Sequence, residues 1–466
     1  MSTGILRVDG SQVVDRNGSQ VRLRGVGLGG WLNLENFING FCGNEKETRQ
    51  AMLDSMGKDN YDFFFDRLME YFFTEEDAQY LKSLGLNCLR LPFNYRHFEN
   101  DMAPRVLIED GFKHLDRVIE LCAAHGIYTI LDLHSLPGGQ NQDWHCDNIT
   151  AYASFWDHKD FQDRAVWLWE HMARRYKSNP WVAGYNIMNE PSDPQGTRLV
   201  SFYNRIEKAI REIDPDHILW LEGNMYAMDF EAFTDPLPNC VYAIHDYSTM
   251  GFPDGPMFTG TAEQKERLRK QFLRKCDFMM KHKLPIWNGE FGPTYARPSD
   301  SNASEINEAR LGLLAEQVRI YEEANISWAL WTYKDVGLMG MLHTSPGSAW
   351  NRLTDDFVAK KECLRLDSSP SFTNDEIDTV LLPLVKWVQD TCPRASKTYP
   401  KVWGIRRHIE RQVFHVFLAH QYCEEFASLF QGKSKEELDE LARSFSFSEC
   451  TQRENLDKVL GRAMMI

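Results

Sequence analysis

Eight short apolar runs rich in β-branched residues alternate along this chain with longer stretches of helical periodicity. They are Val21–Gly27, Cys88–Phe93, Tyr128–His134, Val182–Asn189, Ile218–Gly223, Val241–Tyr247, Pro285–Phe291 and Ile326–Tyr333. A strand that is apolar on both faces belongs in a parallel sheet covered on both sides, where neither face meets water. Between the runs, Phe112–His125, Phe161–Lys177, Thr197–Ile213, Ala262–Lys283 and Glu305–Ala324 carry helical patterns. Another helix opens at Thr74-Glu75-Glu76-Asp77, a capping residue followed by the acidic first turn that a helix dipole favours. Gly85, Gly126 and Asn325 stand where helices should stop. Eight β–α alternations predict an α/β fold, a (β/α)8 TIM barrel rather than an open sheet.

The chain is longer than one such barrel requires, at 466 residues. Ahead of the barrel, Ile5–Val14 and Gln20–Arg24 flank Asp15-Arg16-Asn17-Gly18 and read as a β-hairpin with an Asn-Gly turn, placed to plug the barrel's bottom. After the eighth run, roughly Leu366–Ile466 are helix-patterned, as in Ile405–Phe430 and Lys435–Phe445. Pro370 and a Ser-rich stretch mark the junction. The expected division is a catalytic barrel over 1–365, with the hairpin over 5–24, and a helical C-terminal extension over 366–466. The aromatic-rich Phe414–Phe430 stretch marks buried core or an interface, which makes the extension the candidate surface for a homo-oligomer.

The formal charge of −15 argues against a nucleic-acid or anionic-membrane partner, either of which wants a basic face. No window approaches the roughly 20 apolar residues of a membrane span. The segment Met1-Ser2-Thr3-Gly4-Ile5 has no basic region leading into an apolar run, so a cytoplasmic protein with reduced thiols is expected. The sequons at Asn148 and Asn325 then carry no meaning. Ten scattered cysteines contain no CxxC pair, and neither they nor the histidines fit metal-ligand spacing, so no metal or cofactor is expected.

In a barrel of this kind the reactive groups sit at the C-terminal ends of the strands. Read there, the second run ends near Arg90, the third at Asp132-Leu133-His134, the fourth at Asn189-Glu190, the sixth at His245-Asp246-Tyr247, the seventh at Glu290 and the eighth at Trp331. Two carboxylates on facing strands suit glycoside hydrolysis, in which a protonated one serves the leaving oxygen and an ionised one attacks the anomeric carbon. Arg90 is expected to hold Glu290 ionised through a charge-assisted hydrogen bond, with Tyr247 as a second donor. Glu190 is expected to keep a raised pKa through desolvation and the nearby negative charge. Asn189 is the candidate partner of a sugar 2-hydroxyl, and Trp331 offers an apolar platform. The loop residues Trp144, His145 and Trp156 read either as an outer subsite or as a local packing cluster, and Glu222, closing the fifth run, is given no role.

Ile187-Met188-Asn189-Glu190-Pro191 resembles the N-E-P acid/base signature of glycoside hydrolase family 5 in clan A, and Trp287-Asn288-Gly289-Glu290-Phe291-Gly292 resembles its nucleophile strand. Arg90, His134, His245, Tyr247 and Trp331 fall where that family keeps its other site residues. Two further stretches, Gly27-Leu28-Gly29-Gly30-Trp31-Leu32-Asn33-Leu34-Glu35 and Leu133-His134-Ser135-Leu136-Pro137-Gly138-Gly139-Gln140-Asn141, resemble the fungal exo-β-1,3-glucanase and β-glucosidase branch. The resemblance implies a retaining, cofactor-free β-glycosidase with Glu190 and Glu290 catalytic. It also implies that Glu35, Arg90, His134, Asn141, Asn189, His245, Tyr247 and Trp331 bind a β-glucoside or short β-glucan, Glu35 through glucose hydroxyls. Glu35 and the loop Asn36–Phe73 would then make a dead-end pocket rather than an open groove. An endo-acting β-glucanase or mannanase, and a catalytically silent carbohydrate-binding protein, are the alternative readings.

Overall fold

The computed structural model describes residues 4–297, 300–366, 375–392, 394, 404–453 and 455–463. The chain opens on an antiparallel hairpin of β1 (Arg7–Asp9) and β2 (Gln12–Val14). The predicted pairing of Ile5–Val14 with Gln20–Arg24 is therefore corrected. The chain already reverses at Gly10, whose φ of 58° is open to a residue without Cβ, and Asp9 pairs with Gln12. A period-two pattern does not locate a turn inside an unbroken run. The Asp15–Gly18 turn does form, with the Asp15 carboxylate accepting from the Asn17 and Ser19 amides, but it returns only Gln20 as a single bridge opposite Val14. Leu6 and Val13 pack against Ile130, Ile218, Trp220 and Trp287 inside the barrel.

All eight predicted runs form strands of one closed parallel barrel: β3 (Arg24–Gly27), β4 (Cys88–Asn94), β5 (Tyr128–Ser135), β6 (Val182–Asn186), β7 (Ile218–Glu222), β8 (Cys240–His245), β9 (Ile286–Glu290) and β10 (Ser327–Leu330). β10 pairs with β3 to close it. Between β3 and β4 stand α1 (Asn36–Asn39), α2 (Glu45–Met56), α3 (Lys58–Phe72) and α4 (Glu75–Ser83). The segment Asn36–Phe73, read as a loop, is thus largely helical. Its α3 buries Phe64, Phe65, Leu68 and Met69 along one face. The Thr74 cap forms as predicted, as a capping box with Asp77.

The remaining barrel helices are α5 (Phe112–Ala124), α6 (Lys159–Tyr176), α7 (Thr197–Arg211), the short α8 (Asn224–Ala227), α9 (Ala262–Lys275), α10 (Asp277–His282) and α11 (Ala303–Glu323). The predicted single helix Ala262–Lys283 breaks at Cys276. Beyond β10 come β11 (Lys334–Asp335), β12 (Leu342–Thr344) and α12 (Ala349–Cys363), then α13 (Asp375–Thr391) and α14 (Ile405–Glu410). A π-helical segment, Arg411–Leu418, leads into α15 (Ala419–Ser428), α16 (Lys435–Arg443), β13 (Cys450–Gln452) and α17 (Leu456–Ala463). Pro370 and its Ser-rich neighbours lie outside the described residues. Among the described residues no helix is long and apolar enough to cross a membrane.

The C-terminal helices share one core with the insertion before β4. Phe426 and Phe430 lie in ring contact with Trp350, and Phe430 also with Phe64, at centroid distances of 5.5–6.4 Å. Lys334 is fully buried, 2.5 Å from the Asp77 carboxylate, and donates to the Phe72 and Phe445 carbonyls at 3.0 Å each. One ammonium so joins the barrel end, the insertion and the extension. Truncating a buried Phe costs about 3–5 kcal/mol. Phe430→Ala should therefore lower the free energy of unfolding of the whole chain by that amount in denaturant titration. A loss below about 1 kcal/mol would show that the extension packs independently.

Candidate active site

Arg90 organises the barrel's upper end. It lies in the middle of β4 rather than at its end, as expected from sequence, and no part of it is exposed. Its guanidinium donates to Glu290 Oε1 at 2.5 Å, Asn189 Oδ1 at 2.6 Å, Asn186 Oδ1 at 3.2 Å and Glu222 Oε1 at 3.2 Å, and stands 3.1 Å from Asp132 Oδ2. Burial opposes the charge, but Asp132, Glu290 and Glu222 outweigh it and the group stays cationic. Tyr247 donates to the other Glu290 oxygen at 3.0 Å. The two donors expected for Glu290 are both in place.

Glu190 follows β6 and sits in the left-handed region at φ 46°, an uncommon state for a residue with a Cβ. Its backbone is held on both sides. The amide donates to Glu222 Oε2 at 2.6 Å, and the carbonyl accepts from Asn141 Nδ2 at 2.9 Å. Its carboxyl oxygens meet two rings: His245 Nδ1 lies 2.7 Å from Oε1 and His145 Nε2 lies 3.1 Å from Oε2. A register shift in β8 makes His245 the partner of Glu290, so this imidazole adjoins both glutamates.

The expected rise in the Glu190 pKa is overturned. Burial does push it up, but the hydrogen bonds from His145 and His245, and the charge on those rings, hold the carboxyl well below its ordinary value. Burial lowers His245, but the charges of Glu290 and Glu222 and its bond to Glu190 outweigh it and push the ring up to about 10. The proton therefore rests on the imidazole side of the 2.7 Å bond.

The cavity above these groups has a volume of about 450 Å³. Glu35, His134, Asn189, Glu190, Tyr247, Glu290 and Trp331 all line it, as does the extension residue Arg407. Glu35 is buried, and among the described residues its Oε1 has no hydrogen-bond partner, the nearest cation being His134 Nε2 at 3.5 Å. Burial pushes the Glu35 carboxyl up. Trp331 stacks on His134 with rings 5° apart, and a Cβ at Gly27 would come within 2.6 Å of the indole. The Trp331–Thr332 peptide is cis. Arg90, Asn141 and His245, expected to bind substrate, bond the two glutamates, Arg90 and His245 at the carboxyls and Asn141 at the Glu190 carbonyl.

Three participants escaped the sequence reading. Glu222 bridges Arg90 and the Glu190 amide, and its place at the end of a barrel strand was the available signal. His145 lay in a loop of undecided role. Tyr226 reaches the wall through three successive left-handed residues, Met225, Tyr226 and Ala227, which no local sequence cue announces. Asn148, the first sequon, is buried with its amide given to the Asn141 and Tyr152 carbonyls.

One oxygen of Glu190, one of Glu290 and a His245 nitrogen lie within 4.8 Å of one another, the one such trio among the described residues. A cation would find its donors here, but the guanidinium and the two imidazoles already supply positive charge to both carboxyls. Carboxyl groups this close, at the C-terminal rim of a (β/α)8 barrel and over a sugar-sized cavity, define a glycoside hydrolase.

The comparisons agree. The family described as Cellulase (glycosyl hydrolase family 5) matches residues 39–337, and the chain belongs to that family. It is 48% identical to a β-xylosidase of Phanerodontia chrysosporium over 98% of this chain and 97% of that one. It is 25% identical to endoglucanase C of Acetivibrio thermocellus over 66% of this chain and 90% of that one. It is 27% identical to a probable glucan 1,3-beta-glucosidase A of Aspergillus fumigatus over 44% of this chain and 51% of that one.

His134 supplies a pH test. Burial lowers it, but Asp132 at 2.7 Å outweighs that and pushes the ring up to about 10. A raised imidazole stabilises fully below its ordinary pKa of about 6.5, and that contribution drains away as the pH climbs toward 10. The melting-temperature gap between wild type and His134→Asn should therefore narrow from pH 6 to pH 10. A gap that stays constant would mean that the ring is neutral throughout.

Proposed function

We propose that this family 5 hydrolase is an exo-acting retaining β-glycosidase with glucose as its glycone, Glu290 as nucleophile and Glu190 as acid/base. The observation that carries the mechanism is the pair of carboxyls with oxygens within 4.8 Å. In retaining enzymes the two carboxyl groups stand about 5–5.5 Å apart, near enough for one to attack the anomeric carbon directly. In the first step a Glu290 oxygen bonds to the anomeric carbon as the glycosidic C–O bond breaks. The leaving oxygen takes its proton through Glu190, which draws it from His245 along the 2.7 Å bond and is left as the carboxylate. In the second step Glu190 removes a proton from water, the water oxygen bonds to the anomeric carbon, and the Glu290 ester bond breaks. Asn189, its Oδ1 committed to Arg90 and its Nδ2 already 3.1 Å from His134 Nε2, has one Nδ2 proton left for the sugar 2-hydroxyl.

The exo reading is supported by Glu35, a buried carboxyl at the cavity wall whose Oε1 makes no hydrogen bond among the described residues and has His134 at 3.5 Å, an arrangement suited to sugar hydroxyls. Xylose is the second reading of the glycone, favoured by the name of the 48% identical relative. Hydrolysis rates on p-nitrophenyl β-glucoside and β-xyloside decide between them, and cleavage inside a soluble β-glucan would replace the exo reading with an endo one.

Glu290→Gln should lower kcat by about 10⁴-fold or more, and a 2-fluoro glycoside should label Glu290, as mass spectrometry of the trapped peptide would show. A label elsewhere overturns the nucleophile assignment. Glu190→Ala should slow substrates with poor leaving groups by about 10²–10⁴-fold while activated aryl glycosides lose far less. A uniform loss counts against its acid role.

A further inference from the structure

The stretch matched by the family ends at residue 337, yet two arginines far beyond it reach the site. Arg411 opens the π-helical segment and is 3% exposed. Its Nη1 donates to the Gln142 carbonyl at 2.9 Å and pairs closely with the Asp143 carboxylate, itself buried. These two residues belong to the loop after β5, and two positions on, His145 meets Glu190 at 3.1 Å. The ends of that loop have other anchors. Asn141 is tied to the Glu190 carbonyl, and Asp147 takes the Lys46 amide, Asn94 and Arg96. Its middle is held by Arg411 at Gln142 and Asp143, and by Asn33 and Ser135 at the His145 carbonyl, with Asn141 also 3.0 Å from the His145 ring. Four residues earlier, and so on the same side of the helix, Arg407 lines the cavity beside Tyr226. π-Helical turns recur at functional sites because they re-aim side chains, and this one begins at the arginine that touches the loop.

We propose that the C-terminal extension builds the leaving-group side of the active site, with Arg411 positioning His145 on Glu190 and Arg407 contacting a polar leaving group such as a second sugar. The proposal rests on Glu190 being the acid/base. The logic is that of a buried ion pair. Removing the guanidinium takes from the buried Asp143 carboxylate its largest counter-charge and leaves only the weaker ones of His145 and Arg407, and the cheapest relief is for the loop to shift toward water. His145 then leaves Glu190, and protonation of the departing oxygen suffers first.

The test compares full-length Arg411→Met and Arg411→Lys with wild type. The readouts are hydrolysis of 2,4-dinitrophenyl and alkyl β-glycosides and of a β-linked disaccharide, together with the His145 titration by NMR. Arg411→Met should lose about tenfold more activity on the alkyl glycoside and disaccharide than on the dinitrophenyl glycoside. His145 should titrate at lower pH, having lost the carboxylates that raise it. Arg411→Lys, which keeps the charge, should recover part of both. Arg407→Ala should raise KM for the disaccharide more than for the aryl glycoside. Equal loss on every substrate, or no loss, with the His145 titration unmoved, overturns the proposal. If Arg411→Met does not fold, Asp143→Asn keeps the loop's shape and carries the same readouts. A wild type inactive on all glycosides would instead sink the assigned activity, and the His145 titration would still decide the Arg411 link.

Discussion

A guanidinium taken wholly out of water must be matched by anions in fixed places, and Arg90 imposes that demand on the centre of the barrel. Glu290, Glu222 and Asp132 neutralise it, while Asn186 and Asn189 fill its remaining donors. Because Glu222 also takes the Glu190 amide, the placement of one glutamate is relayed to the other through a single cation. Such a cluster is costly to assemble and costlier to break, since removing any member strands a buried charge. The rigidity is the use of it, because the reacting oxygens then need no reorganisation when charge moves between them.

That arrangement also decides where the proton waits. Glu190 is flanked by two imidazoles, and isolated-residue reasoning about desolvation gives the wrong sign for it. Desolvation acts on the Glu190–His245 pair as a whole and favours neutrality of the pair. The geometry then determines which partner holds the proton.

The barrel was legible because eight buried parallel strands leave a periodic signature, and the rim residues fall at the ends of those runs in an order few other folds would produce. Glu190, Glu290, His134, Tyr247, Asn189, Trp331 and Glu35 could be collected from one dimension. What could not be read was depth. Whether Asn141 and His245 face the cavity or stand behind it depends on side-chain direction at strand ends, which sequence spacing does not encode. Nor does it encode contacts made across hundreds of residues. The helices of Asn36–Phe73 carry an apolar face that is explained by rings far along the chain, Trp350, Phe426, Phe430 and Phe445, and Arg411 looks like any charged helical residue until Asp143 is placed beside it.

The shared core of the insertion and the extension sets a timetable for synthesis. Arg67 of α3 bonds Asp439 of α16 across 372 residues of chain. At about 5–20 residues per second, the apolar face of α3 leaves the ribosome tens of seconds before its cover exists. During that interval Phe64, Phe65 and Leu68 form an exposed greasy stripe on a barrel that is itself still open, since β3 cannot meet β10 until the latter is made. A nascent chain in this condition is a client for holding chaperones. A message cut short near its 3′ end would yield an adhesive product rather than a smaller enzyme.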